Sequence, residues 1–372
     1  MFVPVADSNN RPLMPTNPGL NPGRARRWVR DGGGGAWSRI ALCASGKATP
    51  FWDHGVFCVR LNVEPSGRET QPIVVGIDPG SKREGLTVKS AAHTFLNIQA
   101  TAVDWVKDHM ETRRDMRRAR RFRKTPCRAN RRNRARGGIP PSTKARWQWK
   151  LRLPRIKSGV ARLYPIAAFV VEDVKAVTRG QRPWDVLFSP LQACPGLRSG
   201  VGKEWLYGEL RKIAPVHLKH GWETKALRDQ AGLKKTRTKT AEVFAAHCVD
   251  SWVLANWYTG GHVQPDNTRL LCVIPLRFHR RQLHRLQPEK GGNRRPYGGT
   301  RSHGFKRGSL VKHPKLGLTY IGGWLEDRVS LHCVASGKRL TQQAKPSDCC
   351  FLSFNTWRTR LLPGLKTGGS AA

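Results

Sequence analysis

Three acidic residues and one histidine fall within strongly apolar stretches of this sequence. Asp78 and Glu172 each end an apolar run, and Asp250 lies with His247 inside a third. A carboxylate among apolar residues is costly unless it is paired or bound to a cation. His247 precedes Asp250 by three residues, so a helix would place both on one face. The four residues together predict a divalent-metal site whose oxygen ligands suit Mg²⁺ or Mn²⁺.

The chemistry that such a site could perform is hydrolysis of a phosphodiester. Two ions about 4 Å apart stabilise the attacking and the leaving oxygen of that reaction. His247 could then take a proton from the attacking water, because a histidine titrates near neutral pH.

Each of the four residues also has an ordinary structural explanation. Asp78 opens an Asp-Pro-Gly sequence that is typical of a tight turn, and Glu172 could pair with Arg162. His247 could be a hydrogen-bonded core histidine, and Asp250 could join a salt bridge on a helix face. The joint occurrence of the four on apolar elements favours the metal site.

The elements that must position these residues can be predicted from hydrophobic patterning. Unbroken apolar runs with β-branched residues indicate strands buried on both faces, and apolar residues at helical spacing indicate helices. The predicted strands are 73–77, its antiparallel partner 85–88, 94–98, 167–172 and 216–218. The predicted helices are one that begins at 104–110, 201–213 and 241–258, which Gly260 and Gly261 end.

The charge of the chain predicts a polyanionic partner. Among its 372 residues, 67 Lys and Arg stand against 25 Asp and Glu, which gives a net charge of +42. No apolar run is long enough for a membrane helix, and the first ten residues lack the layout of a signal peptide. The nine cysteines have no C-x-x-C spacing, which fits a reducing compartment better than a disulfide scaffold or a zinc site. We therefore expect a cytoplasmic protein that binds no membrane.

The strongest basic segment is the tract 111–136, in which 13 Lys and Arg accompany two acids. Guanidinium groups bind phosphates bidentately, so a helix carrying them would lie against nucleic acid. A disordered basic arm is the alternative, since Pro126 interrupts any helix. The candidate nucleic-acid contacts in the tract are Arg113, Arg114, Arg117, Arg118, Arg120, Arg121, Arg123, Arg128, Arg131 and Arg132.

A second basic region follows residue 261, where short β-like runs alternate with Gly, Lys and Arg. Its basic residues are interleaved with aromatic residues such as Tyr297 and Phe305, a combination that suits phosphate contact and base stacking. A merely basic, loop-rich domain is the alternative. The candidate contacts here are Arg280, Arg281, Arg294, Arg295, Lys306 and Arg307.

Several of these motifs resemble those of one nuclease family, in the order that the family has them. Residues 75–81 (VGIDPGS), 169–172 (FVVE) and 247–251 (HCVDS) resemble the three motifs of RuvC-type nucleases, which share the RNase H fold. The arginine tract 111–136 is similar to the bridge helix of RNA-guided nucleases, and residues 12–15 (PLMP) resemble the N-terminal signature of IscB-like proteins.

The interval between the second and third motifs favours one branch of that family. IscB proteins carry an HNH nuclease domain there, whereas residues 173–246 of this chain contain neither a Cys-x-x-Cys pair nor an Asp-His dyad. The closer resemblance is therefore to IsrB, the transposon-derived group that lacks HNH. The Gly-rich segment 33–46 looks inserted relative to the family.

The resemblance implies an α/β fold with an RNase H-like (RuvC) core and mixed sheet, an arginine-rich bridge helix, and a C-terminal β-rich basic domain. The expected domains are a PLMP-type module (1–70), RuvC segment I (71–110), the bridge helix and linker (111–150), RuvC segments II and III (151–260), and a domain that binds RNA and a target-adjacent motif (261–372).

The function implied is that of an RNA-guided DNA endonuclease that nicks the non-target strand. Asp78, Glu172 and Asp250 would bind two Mg²⁺ ions, Mn²⁺ being possible, and His247 would act as the base. The implied partners are an omega-type guide RNA, with one protein chain per RNA, and double-stranded target DNA in the nucleoid. The alternatives are an unguided structure-specific resolvase and a non-catalytic RNA-binding protein.

Overall fold

The fold is described from a computed structural model of the chain. The structure describes residues 2–16, 47–65, 67–80, 82–105, 108, 111–112, 114–116, 118–119, 159–174, 176–177, 183–184, 201–276, 301, 303–325 and 327–364. All structural statements below concern these ranges.

The described ranges form a mixed α/β protein with several sheets and few helices. The strands are β1 (Val3–Ala6), β2 (Pro12–Thr16), β3 (Ala48–Asp53), β4 (Val56–Leu61), β5 (Ile73–Asp78), β6 (Arg83–Lys89), β7 (Thr94–Thr101), β8 (Ile166–Asp173), β9 (Ala176–Val177), β10 (Pro183–Trp184), β11 (Val216–His220), β12 (Leu270–Pro275), β13 (Ser309–His313), β14 (Gly317–Leu325), β15 (Arg328–Cys333), β16 (Arg339–Ala344), β17 (Cys350–Phe354) and β18 (Trp357–Leu362). The α-helices whose bounds are fully described are α1 (Val160–Leu163), α2 (Val201–Arg211), α3 (Gly221–Gln230) and α4 (Phe244–Thr259).

The central element is a seven-stranded mixed sheet in the order β11-β8-β5-β6-β7-β12-β18. β5, β6 and β7 form an antiparallel meander, and β8 runs parallel to β5 with β11 parallel to β8. β5 is buried along its whole length, as its unbroken apolar run predicts. The five strands predicted from the sequence within this sheet are confirmed.

Both faces of the sheet are covered. On one face, Leu206 and Leu210 of α2 pack with Phe169 of β8 in the largest apolar cluster. On the other face, Leu254 and Ala255 of α4 pack against Val74, Ala168 and Val170. The alternation along β5 and β8 therefore points every second residue toward α4.

α4 is apolar around most of its circumference because it lies between the sheet and other elements. Residues 246–255 are all buried, whereas Trp257, which lies within the predicted helix 241–258, is 42% exposed. The helix begins three residues later than predicted and ends at Thr259, before Gly260, whose φ of 61° is in the left-handed region. No helix in the described ranges has both the length and the apolar character needed to cross a bilayer.

Two smaller sheets flank the central one in sequence. β1 to β4 form a four-stranded sheet within the predicted N-terminal module, and β13 to β17 form a five-stranded sheet in the basic C-terminal region. The domain boundary predicted at residue 261 does not separate the sheets, because β12 and β18 belong to the central one. β12 pairs in parallel with β7, and β18 pairs antiparallel with β12. The β-rich character of residues 309–362 agrees with the prediction.

Candidate metal centre

The three predicted acidic residues come together at one end of the central sheet. Because β5 and β8 are parallel neighbours, with Ile77 paired to Val171, the residues that follow lie side by side at the same edge. Asp78, Glu172 and Asp250 each place one carboxylate oxygen within 4.8 Å of those of the other two. Asp78 and Asp250 are 6% and 2% exposed, so two of the three carboxylates are buried.

Asp250 reaches this position because α4 lies unusually close to the sheet. A Cβ on Gly76 of β5 would lie 1.8 Å from the backbone oxygen of Ser251, and one on Gly85 of β6 would lie 2.5 Å from that of His247. These distances are far below van der Waals contact, so only glycine permits this approach. The hydroxyl of Thr87 on β6 also lies 2.8 Å from that of Ser251, which ties the helix to the strand.

Strand alternation keeps the neighbouring acid, Asp173, out of the cluster. Its side chain lies on the opposite face of β8, where it accepts hydrogen bonds from Lys203 Nζ (3.0 Å) and Tyr207 Oη (3.1 Å). The ordinary pairing considered for Glu172 is not formed, because Arg162 instead pairs with Asp53, at 2.9 Å.

Two cations neutralise the buried aspartates. Arg228 Nη1 of α3 lies 2.5 Å from Asp250 Oδ1, and Lys235 Nζ forms an ion pair with Asp250 Oδ2. The same Lys235 Nζ lies 3.4 Å from Asp78 Oδ2, so its ammonium bridges the two aspartates. The salt bridge considered for Asp250 from the sequence is thus present, within the acidic cluster itself.

Two acids of the cluster differ in pKa because they lie close together. Burial and the nearby charge of Asp78 raise the pKa of Glu172 to about 8, so near neutral pH it is mostly protonated and hydrogen-bonds to Asp78. Burial opposes ionisation of Asp78 as well, but the hydrogen bond with His247 and the charge of Lys235 hold its pKa below the usual range. Burial likewise disfavours the charge on Lys235, yet the two aspartates raise its pKa overall. Asp78 and Glu172 therefore differ in pKa, and an oxygen of one lies within 4.8 Å of an oxygen of the other.

His247 joins the cluster through both ring nitrogens. Nδ1 lies 3.3 Å from Asp78 Oδ2, and Nε2 lies 3.0 Å from the backbone oxygen of Lys239. Both partners are acceptors, and a neutral ring carries only one N–H, so it can satisfy only one of them. In this arrangement His247 orients Asp78, and its use as a base requires one of these contacts to open.

The donor set fits a hard divalent cation. Three carboxylates on three separate elements offer only oxygen ligands, which is the preference of Mg²⁺, Mn²⁺ and Ca²⁺. The location also stabilises positive charge, because the Lys235 ammonium already lies between two of the carboxylates. Asp78, Glu172 and Asp250 could therefore hold a metal ion.

Most of the predicted nucleic-acid contacts lie outside the described residues. In the arginine tract, Arg114 and Arg118 are helical and exposed, as phosphate contacts must be. In the C-terminal region, Lys306 lies over the ring of Phe354 at 5.1 Å, and partial burial lowers the pKa of Arg307. The segment 33–46 and the following predicted contacts are not described: Arg113, Arg117, Arg120, Arg121, Arg123, Arg128, Arg131, Arg132, Arg280, Arg281, Arg294 and Arg295.

Sequence reasoning missed the two cations of the site. Arg228 lies on α3, a helix that was not predicted, and Lys235 belongs to the basic run 234–239. The available signal was the position of that run shortly before His247 and Asp250. Nothing in its composition separates Lys235 from the exposed Lys234 beside it.

A protein-family model matches part of the chain. Residues 3–182 of the 372 match the family model described as RRXRR protein. The matched range includes Asp78 and Glu172 and ends before His247 and Asp250. No curated protein matches the chain.

Proposed function

We propose that this chain is a metal-dependent DNA endonuclease with a RuvC-type centre, which nicks the non-target strand under the direction of a guide RNA. The observation that carries the proposal is the convergence of Asp78, Glu172 and Asp250, which are far apart in sequence. A basic protein with a net charge of +42 that concentrates carboxylates in one buried cluster has a use for cations there.

The fold and the family match support the same proposal. The mixed sheet, with Asp78 and Glu172 at the ends of adjacent parallel strands, supports the RNase H-like core that the sequence motifs imply. The RRXRR family is found in nucleases of the IscB and IsrB type. The short interval of 173–246 favours the IsrB type, whose single nuclease centre would cut one strand.

The residues of the centre have distinct roles in the proposed reaction. Two bound Mg²⁺ ions would supply an activated water and stabilise the charge that develops on the phosphate oxygens. Asp78, Glu172 and Asp250 would hold them, and Arg228 fixes the orientation of Asp250 through its 2.5 Å contact. His247 accepts the proton of the attacking water once its ring is released from one of its present contacts.

The proposal is tested by comparing Asp78→Asn with the wild-type protein, both purified with their bound RNA. We expect the variant to bind target DNA at unchanged affinity and to lose nicking in Mg²⁺, because the amide cannot replace the charged ligand. Asp229→Asn is the matched control, since Asp229 is an exposed aspartate of α3. Nicking by Asp78→Asn at the wild-type rate would contradict the assignment of the site.

The guide requirement is tested separately with the wild-type protein. Digestion of the co-purified RNA should abolish sequence-specific nicking, and adding the RNA back should restore it. Cutting of branched DNA that is indifferent to RNA would instead identify an unguided resolvase.

A further inference from the structure

Lys235 occupies the position between two proposed metal ligands. It lies in the connection 231–243 between α3 and α4, and its ammonium forms an ion pair with Asp250 Oδ2 while lying 3.4 Å from Asp78 Oδ2. The side chain is 27% exposed, so part of it faces solvent. The neighbouring Lys234 is exposed and has no such position.

The ammonium uses oxygens that a divalent ion would need. Arg228 already engages Oδ1 of Asp250, and Lys235 engages Oδ2, so a cation paired to each oxygen satisfies this carboxylate. On Asp78, the same oxygen Oδ2 faces both Lys235 and His247. An ion that enters between Asp78 and Asp250 meets a unit positive charge within a few ångströms, and the two repel each other strongly in a partly buried site.

A backbone hydrogen bond anchors the chain next to Lys235, so its side chain can move aside while the connection stays in place. The amide of the next residue, Thr236, donates a 3.0 Å hydrogen bond to the backbone oxygen of Ala245 on α4. The four-carbon stem of a lysine is flexible, and its ammonium is well hydrated in water. Rotation of the stem toward solvent would free the two aspartates without unfolding the connection.

We propose that Lys235 is a built-in counter-ion that competes with the divalent cation for Asp78 and Asp250. This inference rests on the proposed function, because it takes the acidic cluster to be a metal centre. In the metal-free chain, Lys235 offsets the repulsion between the carboxylates and keeps the centre assembled. When an ion binds, the ammonium is displaced, and the affinity of the centre for the ion is reduced by the cost of that displacement.

The test measures Mn²⁺ binding to the full-length protein without substrate, from the loss of the free-ion electron paramagnetic resonance signal. We expect Lys235→Met, which keeps the length of the side chain and removes its charge, to bind Mn²⁺ about tenfold more tightly than the wild type. Lys234→Met is the matched control, because it removes the same charge from the neighbouring, exposed residue. It should leave the affinity for Mn²⁺ unchanged. The metal-free Lys235→Met protein should also melt at a lower temperature, and Mn²⁺ should raise that temperature by more than it does in the wild type.

A second variant covers the case in which Lys235→Met does not fold without ions. Lys235→Gln retains a hydrogen-bond donor without the charge, and it should show the same tighter binding. Mn²⁺ affinity equal to or weaker than that of the wild type in either folded variant would overturn the proposal. Failure of both variants to fold even with Mn²⁺ would also overturn it, because an ion that replaces Lys235 must restore the centre.

Asp78→Asn separates the failure of this inference from the failure of the proposed function. If Asp78→Asn loses Mn²⁺ binding while Lys235→Met leaves it unchanged, the metal centre stands and the competition is refuted. If neither the wild type nor Lys235→Met binds Mn²⁺ at this cluster, both the centre and the competition are refuted.

Discussion

Buried ionised side chains in this protein are stabilised by specific partners. Asp78 and Asp250 share the ammonium of Lys235, and Arg228 completes the charge balance on Asp250. Removing one partner from such a group leaves an uncompensated buried charge, which costs far more than a surface pair. The acidic cluster is therefore an arrangement of mutually dependent residues, and each substitution in it must be interpreted through its neighbours.

Lys89 is a buried cation of a different kind, because its direct partners are neutral. Its Nζ donates to Asn256 Oδ1, to Thr259 Oγ1 and to the backbone oxygen of Gly260, at 2.8 to 2.9 Å. These bonds hold the end of α4 to β6 and suit a cation at a helix C-terminus. Burial nevertheless lowers the pKa of Lys89 to about 8, an effect that Asp266 only partly offsets.

This pKa predicts a pH dependence of stability. Between about 8 and the ordinary value of 10.5, the unfolded chain binds the proton of Lys89 more strongly than the folded chain does. The free energy of unfolding contributed by Lys89 should therefore increase as the pH rises from 8 toward 10.5. We expect urea unfolding at pH 7.5 and 9.5 to show this increase in the wild type relative to Lys89→Met. A difference between the two proteins that is constant, or that falls with pH, would contradict the prediction.

The contact between α4 and the central sheet determines whether the acids meet. Helices normally pack at a distance set by side chains, but Gly76 and Gly85 let the backbone of α4 approach the strands directly. The approach places Asp250 beside Asp78 and leaves Gly85 beneath His247. Glycine in these strands weakens their intrinsic β-propensity, so its presence is explained by the position of the helix.

Gly76→Ala should therefore move Asp250 away from Asp78 without changing any side chain of the acidic cluster. The added Cβ would lie 1.8 Å from the backbone oxygen of Ser251, so α4 must shift outward. Overpacking of this kind costs about 1–3 kcal/mol or more. We expect Gly76→Ala to have a lower free energy of unfolding than the wild type, measured by urea denaturation. The folded variant should also bind Mn²⁺ more weakly.

Gly208→Ala is the matched control for this prediction. Gly208 lies on α2, and a Cβ there would meet nothing within 4 Å. Because alanine is favoured over glycine in a helix by about 1 kcal/mol, this variant should be at least as stable as the wild type. Equal stability of Gly76→Ala and the wild type would show that the helix can accommodate the methyl group, and the proposed reason for the glycine would be wrong.

The charge of the entire chain concerns its partners more than its fold. The net charge of +42 remains after every acidic residue has been counted. The described arginines of the basic tract, Arg114 and Arg118, are exposed. Such a chain releases many counterions when it binds a polyanion. The charge supports the proposal that a resident RNA accompanies the protein.

The binding of RNA should accordingly depend steeply on salt. A protein that contacts 6–10 phosphates loses roughly 10³–10⁵ in affinity between 50 and 200 mM salt, and we expect at least that loss here. The measurement is a filter-binding or fluorescence-anisotropy titration of the co-purified RNA at several salt concentrations. A protein that stays soluble and monomeric at low salt without RNA, or a shallow salt dependence, would contradict the proposal of a resident RNA.

The sequence by itself determined the local elements and the identity of the acids. Unbroken apolar runs indicated β5 and β8, and the acids that end them were recognisable because a carboxylate on an apolar element needs a partner. α4 was predicted from apolar residues at helical spacing, although it begins three residues later than predicted and Trp257 near its end is exposed. These features depend on residues close together in the chain, so the amino-acid sequence alone is enough to recognise them.

Only the tertiary structure decided how those elements combine. β12 and β18 extend the central sheet rather than the C-terminal one, because backbone hydrogen bonding pairs strands irrespective of their distance in sequence. Lys235 was indistinguishable from Lys234 within a basic run until the connection between α3 and α4 placed its ammonium between two aspartates. Electrostatic energy depends on distances in space, and no spacing along the chain specifies the few ångströms that join Lys235 to Asp78.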